Sequence, residues 1–342
     1  MSQKNLNVLS KTHKLLNTNL ENKKIFRLYK KFEKLLDIKE NYTVAVSGGP
    51  DSLALAFLAK VYSVKKSINI KYLIVDHKLR KNSTHEARWV KKKLDKFSVN
   101  LKILTWNGRK PTNNIQSVAR DKRYGLLIKE SKKFKINNIL LGHHLGDVFE
   151  NFFIRILRGS GLNGIISLDK KTKNNQINFL RPLINFDKKD LIYISEYVFG
   201  SYIKDPSNKD DKFKRIKIRN LIHELEKEGL DKKKFLLTIN NLKSANEAMK
   251  FYTKKNLEKN AFLKKSDKSL ILKKDFFEQS YEIIFRSFSE AIRIVGKKYY
   301  PVRGKKLDRI ISDILNNSFI KTTLGNCIIK KVSRTVIISK EC

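Results

Sequence analysis

Short apolar runs alternate with helix-length amphipathic stretches through the first two hundred residues. The runs 42–47 (YTVAVS), 70–76 (IKYLIVD), 101–106 (LKILTW) and 138–142 (NILLG) are dense in apolar and β-branched residues and read as buried strands. Among them, 52–64, 83–97, 113–134 and 146–157 repeat apolar positions at helical spacing. Strand–helix–strand repetition predicts an α/β fold, a doubly wound parallel sheet with helices on both faces. In such a sheet the ligand sits beyond the carboxyl ends of the strands, near the point where the strand order reverses. From about residue 213 the pattern turns helical. Segment 213–228 is highly charged and reads as a linker helix, while 232–260, 274–295 and 304–316 read as helices of a smaller domain. Residues 319–342 carry β-rich runs around turn signals and predict a small hairpin or three-strand ribbon. The expected domains are therefore 1–217, 218–317 (mostly helical) and 318–342 (a short β-rich tail), with no internal repeat.

Composition narrows the class. At 342 residues, 41% hydrophobic and 10% aromatic, the chain has material for about two buried cores. Two cysteines, Cys327 and Cys342, exclude a disulfide scaffold, a four-cysteine metal site and a CxxC motif, and point to a reducing compartment. The longest apolar candidate, 53–62, falls short of the roughly 18 residues a spanning helix needs and carries Lys60. The first residues are polar and do not resemble a signal peptide, so a soluble, cytoplasmic protein without membrane contact is expected. Net charge changes the picture most. Lys and Arg number 74 against 33 Asp and Glu, +41 in all, spread along the chain with no basic tail. A polyanionic partner, nucleic acid above all, accounts for such an excess. The alternative is a Lys- and Asn-rich chain whose lysines only solvate its surface.

The segment 44–52 (VAVSGGPDS) carries the first chemistry. A strand ends, two glycines permit a tight turn, and a helix begins, which aims backbone N–H groups and a positive helix end at one point. Ser47 and Ser52 add hydroxyls, and Asp51 could hold Mg²⁺ against phosphates. The loop is neither GxxxxGK[ST] nor GxGxxG.

SGGPDS resembles the PP-loop of the ATP pyrophosphatases, SGGxDS, enzymes that cleave ATP between its α- and β-phosphates and adenylate an oxygen. Six further segments follow in order. They are Val75-Asp76-His77-Lys78-Leu79-Arg80; Ala119-Arg120 with Arg123-Tyr124; Leu141-Gly142-His143-His144 with Asp147 and Glu150; Arg158-Gly159-Ser160-Gly161-Leu162; Arg181-Pro182-Leu183; and Asp205, Ser207, Asn208 with Arg215 and Arg219. In this order and spacing they resemble tRNA(Ile)-lysidine synthetase, whose members carry VDHxLR, AR..RY, GHHxDDxxET, RGSGLxGL and RPLL after the loop. The likeness runs from about 40 to 220, and Tyr300-Pro301-Val302-Arg303 and Thr323-Leu324-Gly325 extend it weakly.

The resemblance implies an adenine nucleotide alpha hydrolase-like fold and an ATP-dependent ligase. Such an enzyme adenylates the C2 oxygen of the wobble cytidine in a CAU-anticodon tRNA(Ile). It then joins the ε-amine of free L-lysine to C2, releasing AMP and pyrophosphate and changing decoding from AUG to AUA. By the same resemblance Ser47, Gly48, Gly49, Pro50, Asp51 and Ser52, with Asp76, His77 and Arg158, are expected to bind ATP. Asp51, Arg120, His144, Asp147 and Glu150 are the expected catalytic group, and Asp51 and Glu150 the expected Mg²⁺ ligands. Asp147 and Glu150, three apart on one helix face, could serve metal, the lysine ammonium, or both. Two positions depart from the family pattern: HHLGDVFEN puts Gly146 where the first Asp stands and Asn151 where the Thr stands.

For RNA, Tyr299, Tyr300 and Arg303 lie in an aromatic and basic segment (GKKYYPVRGKKLDR), and Arg215 and Arg219 share a helix face. The plain alternatives are a Pro-containing loop with inward tyrosines and a solvated charged face. Adjacent His143 and His144 also permit a zinc site, though neighbouring helical side chains diverge. Two rivals stand beside the ligase: a tRNA thiolase of the same superfamily, and a non-catalytic RNA-binding protein on a decayed scaffold. Oligomeric state stays open, a homodimer included.

Overall fold

The computed structural model describes residues 3–36, 39–80, 82–108, 111–174, 176–204, 214–264, 269–298, 301–302 and 304–341, with side chains from residue 11 on. These fall into two compact units, 1–231 and 232–342.

In the first unit the helices are α1 (Gln3–Glu21), α2 (Lys23–Leu35), α3 (Pro50–Lys66), α4 (Ser83–Asp95), α5 (Ile115–Lys133), α6 (Leu145–Ile156), α7 (Leu162–Ile165), α8 (Lys188–Phe199) and α9 (Lys214–Lys227). The strands are β1 (Tyr42–Val46), β2 (Ile70–Asp76), β3 (Leu101–Thr105), β4 (Asn138–Leu140), β5 (Lys171–Asn174) and β6 (Ile177–Leu180). They form one sheet in the order β3-β2-β1-β4-β6-β5, parallel throughout except for the edge hairpin β5–β6. The chain winds outward from β1 to β3 and then crosses back to β4 on the other side of β1. The strand order thus reverses between β1 and β4, and their carboxyl ends open the crevice that such sheets use for ligands.

Two apolar layers flank the sheet. On one face α3 is buried all round from Leu53 to Ala59, because α2 (Ile25, Tyr29, Phe32) and α8 (Leu191, Ile194) cover what the sheet does not. On the other, Leu127 of α5 packs on Leu73, Ile139 and Phe179. Each such side chain contributes about 1.5–3 kcal/mol by leaving water. Ser195 Oγ of α8 donates to the Pro50 carbonyl at 2.6 Å, a buried bond that fixes α8 to the start of α3.

The second unit holds α10 (Lys232–Asn260), β7 (Ala261–Lys264), β8 (Ser269–Leu272), α11 (Tyr281–Val295), α12 (Lys305–Leu315), β9 (Lys321–Leu324), β10 (Cys327–Val332) and β11 (Thr335–Lys340). The expected three-strand meander is present, but β11 also pairs with β8, giving an antiparallel sheet β7-β8-β11-β10-β9. The β-rich end therefore shares one core with α11 and α12, built on Phe276, Phe288, Ile292, Ile311, Ile329 and Ile338. The single helix expected over 274–295 is instead a short 3-10 turn, Lys274–Phe277, followed by α11. Extended backbone at Ser280 breaks it, which lets Phe276 turn fully into the core. Helix α9, read as a linker, belongs to the first unit, so the 217/218 boundary drawn from charge falls inside it.

Candidate functional site

The turn after β1 needs its glycines for different reasons. Gly48 has φ +87, and a Cβ there would stand 2.5 Å from Ile203 Cδ1. Gly49 has ordinary backbone, but a Cβ would meet nothing within 4 Å, so its side of the loop is open. Ser52 is the brace: its Oγ accepts from the N–H groups of Ser47 and Gly48, both at 3.0 Å, and donates to the Gly49 carbonyl at 3.0 Å. Pro50 opens α3 without an N–H, and the first helical bond runs from Leu53 N to Gly49 O at 3.1 Å. The N–H groups of Asp51 and Ser52 therefore precede the helical ladder and face the crevice with the positive helix end.

From the far side, the chain leaves β4 and reaches Gly142, where a Cβ would lie 3.3 Å from the Asp51 and Ser52 backbone. A side chain here would crowd the first turn of α3 by a few tenths of an ångström, so glycine eases the close approach. The next two residues diverge. His143 Nδ1 accepts from Arg181 Nε at 3.3 Å, and buried Arg181 is itself held by Nη1 bonds to Asp169 O (2.8 Å) and Thr172 Oγ1 (3.1 Å). A neutral His143 consequently carries its proton on Nε2. Burial pushes this imidazole down to about 3, against the pull of Asp147, with Arg181, Arg120 and Arg123 adding to the shift.

His144 caps α6. Its Nδ1 accepts from Gly146 N at 3.0 Å, and its own N–H donates to Asp147 Oδ2 at 2.9 Å, a reciprocal capping box with histidine in the serine role. Its Nε2 then lies 3.9 Å from Asp51 Oδ1 and 3.8 Å from Asp147 Oδ2. Gly146 makes this possible, since a Cβ at 146 would stand 2.8 Å from His144 Cε1. Burial would raise Asp147, but His144, His143 and the His144 N–H bond hold it below the ordinary carboxylate range. Asp51 is bound by Lys188, whose Nζ reaches Oδ1 at 2.7 Å and Oδ2 at 2.6 Å.

A cavity of about 190 Å³ collects these groups: Ser47, Asp51, Arg123, Tyr124, His143 and Asp147 line it. A larger hollow of about 660 Å³ lies beside Lys60, Lys71, Lys102 and Phe134, at the amino ends of β2 and β3. It is the wrong end of the sheet for a ligand of this fold and touches none of the expected ATP-binding, catalytic or metal-binding residues.

The remaining expected residues scatter. Arg120 lies over the Tyr124 ring at 4.8 Å and donates to its hydroxyl at 3.1 Å, beside the cavity. Asp76 spends its carboxylate on its own turn, accepting from Ser83 Oγ (2.7 Å), Thr84 Oγ1 (2.6 Å) and Lys78 N (3.0 Å). Burial raises it, and these bonds bring it below the usual range. His77 follows with its Nδ1 buried and unpartnered, pushed down by burial and by Arg123. Glu150 does not share the cavity with Asp147; it is buried and bound to Arg219 of α9 at 2.5 Å. Arg158 is exposed in the turn after α6, where Gly159 at φ +63 ends the helix, and Arg215 is exposed on α9. Tyr299, Tyr300, Arg303, Asp205, Ser207 and Asn208 lie outside the described residues. Among the described residues no group of three or more His, Cys, Asp and Glu could hold a metal by itself, and the zinc alternative has no support.

Lys188 is the site residue that sequence reasoning missed, because nothing in Lys188-Lys189-Asp190 separates it from dozens of other lysines. Arg181 and Gly142 were visible only as motif letters.

Comparisons with known proteins bear on the family and the fold. A family model described as a PP-loop domain matches residues 18–226. The chain is 33% identical to a tRNA(Ile)-lysidine synthase of Orientia tsutsugamushi, over 87% of this chain and 69% of that one. It is 32% identical to a tRNA(Ile)-lysidine synthase of Wolbachia pipientis, over 87% and 70%. Among solved structures, a U34-tRNA thiolase from Methanococcus maripaludis superposes with a TM-score of 0.57 at 19% identity, over 66% of this chain and 79% of that one, which shows a shared fold.

Proposed function

The chain belongs to the tRNA(Ile)-lysidine synthase family, and we propose that the cavity between the ends of β1 and β4 is where it carries out that chemistry. The protein is an ATP-dependent tRNA-modifying ligase that forms lysidine. The observation that carries the placement is convergence. Ser47 of the loop, Asp51 and Ser52 at the α3 amino end, His143 and Asp147 all line one cavity at the switch point.

The triphosphate lies against the α3 amino end, its pyrophosphate over Gly49. The C2 oxygen of the wobble cytidine attacks the α-phosphate and pyrophosphate leaves. The neutral lysine ε-amine then attacks C2, the C2–oxygen bond breaks, AMP departs with that oxygen, and a proton is lost from nitrogen. Little covalent work falls to the protein in the first step, which depends on positioning and charge. His143, neutral with its proton on Nε2, donates to a phosphate or ring oxygen in the cavity. Arg120 and Arg123 meet the charge on the transferred phosphorus. Asp147, ionised, receives the lysine ammonium before its proton is shed.

Mg²⁺ fits this donor set. It is commonly held by one or two carboxylates with water and phosphate filling the other positions, and Asp51 and Asp147 face the same imidazole nitrogen at 3.9 and 3.8 Å. Asp51 would hold it, and when bound it neutralises the pyrophosphate. Glu150, expected beside it, is engaged by Arg219 and orients α9 instead.

The tRNA is met by basic surface, with exposed Arg215 of α9, whose charge reaches the cavity residues Arg123 and Asp147. Among the described residues the thiolase rival finds no thiol in the cavity: Cys327 is buried in the second unit, and burial pushes it up to about 11.

The test is incorporation of labelled lysine into unmodified CAU-anticodon tRNA(Ile), followed together with AMP and pyrophosphate release. Lysine-dependent incorporation that vanishes in Asp51→Ala is the expected result. tRNA binding without incorporation or pyrophosphate release overturns the reading in favour of a decayed scaffold.

A further inference from the structure

We propose that Lys188 is the resident counter-ion of Asp51 and that it couples metal entry to nucleotide entry. Asp51 is released to a divalent cation only when the pyrophosphate of ATP takes over the Lys188 ammonium. The inference rests on the reading of Asp51 as the metal ligand.

Both oxygens of Asp51 lie within hydrogen-bond reach of one nitrogen, at 2.7 and 2.6 Å. His144 Nε2, the next cationic candidate, is 3.9 Å away. The contact is built into the fold. Asp51 stands in the first turn of α3 and Lys188 in the first turn of α8, and the buried Ser195–Pro50 bond locks those helices together. With side chains 25% and 43% exposed, the pair is open to solvent, where ions can exchange, and Asp51 also lines the cavity.

Charge decides the order of events. Without nucleotide, Lys188 offsets the charge of Asp51, so a free divalent cation must displace a close two-oxygen contact to reach this carboxylate. A lysine ammonium on a flexible stem has three donors and needs an anion, and it swings from a carboxylate to a phosphate with no loss of pairing. The triphosphate, seated over Gly49 beside this pair, supplies the replacement anion. Asp51 is then freed for the cation that the phosphates bring with them. Each ligand removes the obstacle to the other, and the coupling must be reciprocal.

The experiment uses the full chain with Mn²⁺ as probe, its binding followed by electron paramagnetic resonance with and without an ATP analogue resistant to α–β cleavage. In the wild-type protein the analogue is expected to tighten Mn²⁺ binding about tenfold or more. Lys188→Gln is expected to bind Mn²⁺ about tenfold more tightly than wild type when nucleotide is absent, and to show a smaller gain from the analogue. Lys188→Arg is expected to behave as wild type. Unchanged Mn²⁺ affinity in nucleotide-free Lys188→Gln overturns the inference. Unchanged Mn²⁺ affinity in Asp51→Asn, with and without the analogue, overturns the reading of Asp51 on which it stands.

Discussion

Glu150 of α6 and Arg219 of α9 form an ion pair, Nε to Oε1 at 2.5 Å and Nη2 to Oε2 at 3.4 Å, with Glu150 only 5% exposed. It joins the helix that carries Asp147 to a helix that charge alone marks as a solvated linker. Arg219→Ala leaves a buried carboxylate without this partner, and is expected to cost about 1–3 kcal/mol, less than a fully buried pair because the guanidinium is part-exposed. Denaturant unfolding measures it. A double-mutant cycle with Glu150→Gln should return a coupling of about 0.5 kcal/mol or more; additive losses would mean that the pair holds nothing.

Restoring the family's aspartate at Gly146 should harm this protein. A β-carbon there meets His144 Cε1 at 2.8 Å and Nδ1 at 3.1 Å, so the imidazole must leave the α6 cap and its place between Asp51 and Asp147. Gly146→Asp and Gly146→Ala are both expected to lower lysine incorporation about ten- to hundredfold. An aspartate variant more active than wild type would mean that the site lacks the carboxylate, and not the room for histidine.

Acid should weaken the fold through His143. Its folded value is depressed to about 3 from an ordinary 6.5, so between those values the unfolded chain binds more protons than the native one. Stability contributed by the neutral imidazole is present above about 6.5 and is lost as pH falls through that window. Melting temperature is expected to drop between pH 7 and 5, and less steeply in His143→Gln. Asp147, whose value is lowered, acts in the same direction only below its ordinary 3.8 and does not blur that interval.

The two loop glycines should separate folding from binding. Gly48→Ala combines φ +87 with a 2.5 Å clash at Ile203 and is expected to lower the melting temperature, at about 1–3 kcal/mol. Gly49→Ala meets no neighbour and should melt as wild type, while weakening binding of the ATP analogue about tenfold or more by filling the space over the loop. Full nucleotide affinity in Gly49→Ala would put the phosphates elsewhere.

Much of the scaffold is legible in the chain because it follows from strong local periodicity. The strand 70–76 and the helix 232–260 occur with the bounds their apolar patterns predict, and SGGPDS lies at the turn its glycines require. What escapes notice depends on tertiary partners. The β5–β6 hairpin is short and polar on β5, α8 opens on an Asp187 whose side chain makes no capping bond, and Ser280 breaks 274–295 only because Phe276 has a core to enter. In the site, spacing identifies the carboxylates but not their allegiance. Asp147 and Glu150 share a helix face, yet one turns back to cap that helix and the other reaches α9. Asp76 closes its own turn and Lys188 arrives from a helix far along the chain.

The position of β11 in the second sheet bears on how that unit assembles. β7 and β8 form one local ribbon and β9 to β11 another, and the sheet is whole only when β11 docks on β8, pairing Val336 with Leu272. Local hairpins close within microseconds, whereas joining segments distant in sequence is the slow, entropy-limited event. Until that docking, β8 and β11 each expose an unpaired apolar edge, SLIL and TVIISK, open to pairing with another chain. This stretch of the refolding path is where concentration decides between native protein and aggregate.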